Sequence, residues 1–225
     1  MFNNLFTRKT LKNLFRLPYQ GFGINTSERI IEVPWALSLF AHEKRVLEVG
    51  YSNAEPEYLN GLLNLHCEEL HGVDIVYKEV DGIIKKQADI RNTGFPDNYF
   101  DMILCISTIE HVGRNNSVYT ESNDPIDSSG DFKAVVEMKR ILNKGGKLII
   151  TVPFGKFVDY GWFIHYDEQR WSSLKHELGA SLIKEDYFIY RHGWFTSTKE
   201  ELKHVAYQDN GAPHATGLLC ALFIK

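Results

Sequence analysis

The chain has 225 residues, 44% of them hydrophobic and 24% charged, with 25 basic and 29 acidic side chains and a net charge of −4. This balance excludes a disordered, collagen-like or repeat protein, and it offers no blanket attraction to nucleic acid. The longest apolar runs, Leu148 to Val152 and Leu218 to Ile224, fall well short of the roughly 20 residues that span a bilayer.

Residues 1–26 read as a basic N-terminal arm and residues 27–225 as one domain. Arg8, Lys9, Lys12 and Arg16 interleave with Phe2, Leu5, Phe6, Leu11, Leu14 and Phe15 ahead of the first acid, Glu28. The arm is expected to form a helix packed on its own domain, with contact to a membrane surface as the alternative. Ser27 then opens a predicted helix with the apolar stripe Ile30, Ile31, Val33, Trp35, Ala36, Leu39 and Phe40.

Arg45 to Gly50 reads as a short strand ending in glycine, and Pro56 to Leu65 as a helix with proline in its first turn. Predicted strands Leu70 to Val76 and Ile83 to Ile90 carry Asp74 and Asp89 near their ends, and Phe100 to Ser107 is a strongly apolar strand. A polar stretch from Val112 to Gly130 is expected to be a mobile loop. Phe132, Val135, Val136, Met138, Ile141 and Leu142 recur at helical spacing, and Gly145-Gly146 is expected to end that helix before a strand from Lys147 to Pro153.

Asp167 to Leu178 reads as a helix, and Leu182 to Tyr190 and Leu218 to Ile224 as strands that pair antiparallel. Between them, Arg191 to Gly217 is an insertion with a short helix around Glu200 to Tyr207, expected to wall a pocket. Strands alternating with helices predict an α/β, Rossmann-like doubly wound sheet. It is mostly parallel, with an antiparallel C-terminal strand and helices on both faces. Ligands of such sheets bind outside the carboxyl ends of the strands. Those ends supply Glu48, Gly50, Asp74, Asp89, Ser107, Glu110 and His111, a set rich in acids that suits a cationic nucleoside better than a phosphate-rich dinucleotide.

In this order the motifs resemble the class I S-adenosylmethionine-dependent methyltransferases, in the branch that methylates small molecules, lipids and sugars. Val46-Leu47-Glu48-Val49-Gly50 looks like that family's first motif, Asp74 like its ribose-binding acid, and Ala88-Asp89-Ile90 like its adenine-holding segment. Phe95 to Ile103 with Ile109-Glu110-His111 resembles the fourth strand and its flanks, and Glu137 to Leu148 the helix, turn and strand that follow. The resemblance covers residues 44–154. One departure is that Gly50 is followed by Tyr51-Ser52-Asn53, where the family usually has further glycines.

The resemblance implies S-adenosylmethionine as cofactor. Glu48 would orient its amino group, Gly50 would admit it closely and Ser52 would contact its methionine moiety. Asp74 would accept from the ribose hydroxyls, Asp89 from the adenine amine, and Ile90 and Ser107 would complete the lining. Transfer to a hydroxyl needs a base, and His111, His165 and Glu110 are the candidates. A metal is not expected, because too few ligands are evident around them.

The favoured acceptor is a hydroxyl of a small molecule, a sugar or glycan precursor above all, since the body lacks a basic stripe for nucleic acid. Ser107-Thr108-Ile109 also stands where methylases of base amino groups carry Asn/Asp-Pro-Pro-aromatic. A catalytically silent scaffold with the same fold is the alternative, motivated by the glycine-poor loop. A nicotinamide-dependent oxidoreductase ranks last, for want of G-x-G-x-x-G after the first strand. Three cysteines, with Cys105 and Cys220 inside apolar runs, fit free thiols and a cytoplasmic location.

Overall fold

Five segments, four of them carrying buried Val, Ile or Leu, run side by side in the computed structural model, which describes residues 23–120 and 126–225. The helix expected between residues 2 and 15 lies outside the described residues. The parallel strands are β1 (Arg45–Val49), β2 (Glu69–Asp74), β3 (Ile84–Gln87), β4 (Phe100–Ile106) and β5 (Leu142–Pro153). After them β6 (Val158–Asp159) and β7 (Ile164–His165) form a separate two-stranded sheet.

β8 (Ser181–Tyr190), β9 (Trp194–Ser197) and β10 (Gly217–Ile224) complete the main sheet in the order β3-β2-β1-β4-β5-β10-β8-β9. β10 lies antiparallel to both β5 and β8, as expected for the C-terminal strand.

Side chains that alternate along each strand feed two cores. Leu47, Ile103 and Ile150 face α3 (Gly130–Ile141) and α4 (Glu168–Leu178), where Val135, Met138, Trp171 and Leu174 are fully buried. Val46, Leu104 and Ile149 face the opposite way, toward Ile31 and Trp35 of α1 (Arg29–Leu37) and Tyr58 and Leu62 of α2 (Pro56–Leu63). Each buried Leu or Ile contributes about 1.5–3 kcal/mol against its exposed state.

Local chemistry sets the helix ends. Asp167 caps α4 by accepting from the Arg170 amide at 2.8 Å, and Gly179 closes it in the left-handed region at φ 53°. A short α5 (Lys199–Leu202) starts on a reciprocal capping box between Thr198 and Glu201, and it ends five residues earlier than Glu200-to-Tyr207 periodicity suggests.

The expectation that Gly145-Gly146 terminates α3 is corrected. The helix stops at Ile141, and Leu142 already takes an extended backbone with ψ 139° because its side chain is drawn into the core. The two glycines instead lie in a register shift of β5 against β4. Gly145 there has φ 78° and its amide donates to the Lys225 carbonyl at 2.8 Å.

Candidate functional site

Strand order reverses between β1 and β4, since β2 and β3 extend the sheet one way and β5 the other. Above that point the chain leaves β1 through Gly50, which holds φ 91°, and a 3-10 turn follows at Tyr51–Asn53. A Cβ on Gly50 would lie 2.6 Å from Thr108 Oγ1, so a side chain is excluded both by conformation and by space. Tyr51 fills the room beside Gly72, and its hydroxyl donates to the Lys78 carbonyl at 3.0 Å. That anchor holds the loop without the further glycines.

A crevice of about 1080 Å³ opens there, lined by six of the seven predicted cofactor residues, Glu48, Gly50, Asp74, Asp89, Ile90 and Ser107, and by His111. Ser52 does not line it, which corrects the expectation of a cofactor contact. Its hydroxyl donates to the Val76 carbonyl at 2.5 Å, and its amide to the Asp74 carboxylate at 3.0 Å. Asn53 and Ala54 take its place in the wall.

Asp74 is clamped from below. Oδ2 accepts from Ser52 and Oδ1 from the Val76 amide, both at 3.0 Å, leaving one lone pair on each oxygen for ligand hydroxyls. Asp89 is more heavily engaged: Arg91 reaches both of its oxygens at 2.6–3.0 Å and also pairs with Asp127. Burial would raise the Asp89 carboxyl, but the Arg91 bonds outweigh it and hold it below the usual range. Glu48 is fully buried and accepts from the Tyr58 hydroxyl at 2.5 Å; burial pushes its carboxyl well above the ordinary value against that bond.

A second cavity of about 730 Å³ adjoins the first and shares Arg29, Ser107, His111 and Tyr119 with it. Glu110 and His111 both line it, on the 3-10 turn Ile109–His111 that follows β4. Glu110 is 2% exposed, and its Oε2 has no hydrogen-bond partner. Burial raises its carboxyl well above the usual range. The His111 Nδ1 lies 2.9 Å from the Trp162 carbonyl, an acceptor that assigns the proton to Nδ1 and leaves Nε2 with a lone pair. Burial lowers its pKa to about 4.

His165 lies elsewhere. It is fully buried on β7, with Nδ1 2.7 Å from the Lys156 carbonyl, and it lines neither cavity. The expectation that it borders the acceptor side is therefore corrected: the β6-β7 hairpin turns its ring beneath Gly155 instead.

The residues that sequence reasoning missed come from α1 and its start. Glu32 is fully buried and accepts from Ser107 Oγ at 2.8 Å, Thr151 Oγ1 at 2.6 Å and Arg29 at 2.9 Å. Glu28 lines the second cavity, and burial, then the neighbouring Glu32 charge, raise its pKa to about 7. A signal existed, because Glu28, Glu32, Trp35 and Ala36 share one helical face. Two acids within a buried stripe mark an inward-facing polar site. Among the described residues, no group of three or more His, Cys, Asp or Glu is arranged to hold a metal ion. No helix among them is long and apolar enough to cross a membrane.

A family described as "Caenorhabditis protein of unknown function, DUF268" matches residues 73–172. An uncharacterised protein of Methanocaldococcus jannaschii is 37% identical over 65 residues, which span 29% of this chain and 21% of that relative's length. Among solved structures, the Bradyrhizobium japonicum N-methyltransferase NodS, in complex with S-adenosylhomocysteine, is 15% identical with a TM-score of 0.53, covering 88% of this chain and 86% of its own. The Burkholderia thailandensis 1,6-didemethyltoxoflavin-N1-methyltransferase, also with S-adenosylhomocysteine, is 10% identical at a TM-score of 0.55 over 87% of this chain and 78% of that one.

The chain has the class I methyltransferase fold. The [4+2]-cyclase SpnF is similar too, at 17% identity and a TM-score of 0.59 over 93% of this chain and 88% of its own. A class I methyltransferase fold therefore leaves the reaction to be argued from the site.

Proposed function

We propose that the protein is an S-adenosylmethionine-dependent methyltransferase acting on a small molecule. The observation that carries this reading is the crevice at the strand-order reversal, where Gly50, Asp74, Asp89 and Ile90 stand on successive strand ends. S-adenosylmethionine supplies an electrophilic methyl group on a sulfonium. Asp74, oriented by two amides, would accept from the ribose hydroxyls, and Glu48 would face the amino group. Ile90, buried at the wall, would pack on the adenine ring while Asp89 shares its carboxylate between Arg91 and the adenine amine. Acceleration would come mainly from holding acceptor and methyl at attack distance in a dry site.

Calorimetric titration with S-adenosylhomocysteine, with NADH as control, tests the reading. Micromolar binding, about −8 kcal/mol, is expected for the former and no heat for the latter. No binding of S-adenosylhomocysteine by folded protein would favour the second reading, a silent scaffold, which the occupation of Asp89 by Arg91 supports.

The acceptor expected from sequence is a hydroxyl, on a sugar or glycan precursor, with O-methylation as the outcome. His111 is the base available for it. A pKa near 4 makes it a weak base for removing a hydroxyl proton. The free thiols Cys67, Cys105 and Cys220 support a cytoplasmic setting.

A further inference from the structure

The cavity beside the cofactor crevice carries an imbalance of charge. Arg29 is its cation, and its Nη1 is already committed to Glu32 at 2.9 Å. Glu28, Glu55 and Glu110 line the same space, with His111 and His214 as the other titratable imidazoles. Glu28 has one external bond, from the Ala215 amide at 3.2 Å. Glu110 has an oxygen that is buried and unpartnered. A buried acceptor atom without a donor is costly to keep, so its retention inside a cavity points to a donor that arrives with the ligand.

Aromatic rings form the opposite wall. Trp162 packs against Phe163 at 4.6 Å between centroids and against the His111 ring at 5.2 Å, and Phe163 meets Tyr207 at 4.9 Å. Tyr119 and Trp162 remain about two-fifths exposed, and they also line a neighbouring pocket with Tyr160 and the more exposed Val118 and Ile126. Carboxylates at the bottom and aromatic faces at the side are the two groups that attract an organic ammonium, by charge and by the ring quadrupole.

We propose that the methyl acceptor is an amine with an apolar or aromatic body, its nitrogen directed at Glu110 and Glu28 and its body against Trp162 and Tyr119. This deepens the methyltransferase reading and rests on it. The amine enters as an ammonium and gives one proton to the Glu110 carboxylate, which frees the nitrogen lone pair. That pair forms the new N–C bond while the C–S bond breaks, its electrons leaving on sulfur. The products are the N-methylated ammonium and S-adenosylhomocysteine, and no further reactant is needed. The raised carboxyl range of Glu110 suits it to take that proton. An alcohol would bring no positive charge to favour the ionised form of the buried Glu110 and Glu28.

The experiment is calorimetry at pH 7.5, first with S-adenosylhomocysteine and then, at saturation, with 2-phenylethylamine and hexylamine against 2-phenylethanol and hexan-1-ol. At least one amine is expected to bind tenfold or more tightly than the alcohol of the same skeleton. Glu110→Gln copies the shape of a protonated, neutral glutamate. It is expected to weaken that amine at least tenfold while S-adenosylhomocysteine affinity stays within twofold, and Glu28→Gln gives a second variant should the first not fold. The inference is overturned if alcohols bind as well as amines, if neither class binds to protein that holds S-adenosylhomocysteine, or if the folded glutamine variant keeps full amine affinity. Failure to bind S-adenosylhomocysteine at the outset would remove the methyltransferase reading itself, and the amine inference with it.

Discussion

The amide of Ser52 donates to the carboxylate of Asp74 at 3.0 Å, tying the loop after β1 to the end of β2. Val76 supplies a second amide at 3.0 Å, so the carboxylate is aimed before any ligand arrives. A ligand that needs it then loses little entropy in ordering it.

Asp74 should therefore be the most sensitive position for nucleoside binding. Hydrogen bonds to a charged partner contribute about 1.5–3 kcal/mol, so Asp74→Ala should weaken S-adenosylhomocysteine by roughly ten- to a hundredfold. Asp74→Asn keeps an acceptor oxygen and should lose less. Titration calorimetry on both variants decides it, and wild-type affinity in the alanine variant would remove Asp74 from the site.

Gly50 turns the backbone where the crevice begins. Any side chain there meets both a φ of 91° and the Thr108 hydroxyl at 2.6 Å. Gly50→Ala should cost about 1–3 kcal/mol of stability, a fall in Tm of several degrees for a chain of this size, and at least a tenfold loss of S-adenosylhomocysteine affinity. A thermal melt beside the titration separates the two effects. A variant with unchanged Tm would show that the turn tolerates a side chain.

Most of the sheet could be read from the sequence because its central strands are buried on both faces and appear as unbroken apolar runs. β4 and β10 come within one residue of their expected limits. β3 is shorter than the run Ile83 to Ile90, since after Gln87 the backbone leaves the ladder and delivers Asp89 and Ile90 to the crevice. β6, β7 and β9 escaped notice because two to four residues are too few to show a period. At the site, acids on strand ends were readable, whereas Glu32 and Glu28 were not singled out. What they meet there, Ser107 after β4 and Thr151 on β5 for Glu32 and the Ala215 amide for Glu28, is a relation that local patterning does not contain.

Glu32 joins α1 to two strand ends through Ser107 and Thr151 and holds Arg29. Removing Glu32 leaves two inward-facing hydroxyls and an Arg29 side chain that is only 32% exposed without their acceptor, at a cost of about 1–3 kcal/mol. Glu32→Ala is expected to fall in that range and to narrow the crevice by releasing Arg29. Glu32→Gln, which still accepts one hydrogen bond, should lose less. Urea unfolding curves measure both, and a loss under about 1 kcal/mol in the alanine variant would show that solvent replaces these contacts.

Glu28 and His111 contribute to the pH dependence in opposite senses. Burial raises Glu28 to about 7 from an ordinary 4.5, so between those values the folded state holds more protons than the unfolded state. Its contribution to stability is complete below pH 4.5 and is lost as pH rises through 7. His111 acts in the other sense: burial lowers it to about 4 from 6.5, so the unfolded state binds more protons in that interval and stability is lost as pH falls through it. Between pH 5 and 6.5 the two slopes oppose each other in the wild type. Glu28→Gln removes one of them, so the Tm of the variant minus that of the wild type should increase from pH 5 to pH 7.5. Melting curves at both pH values for both proteins test this. Equal slopes would mean that the Glu28 carboxyl titrates in the folded protein as it does in water.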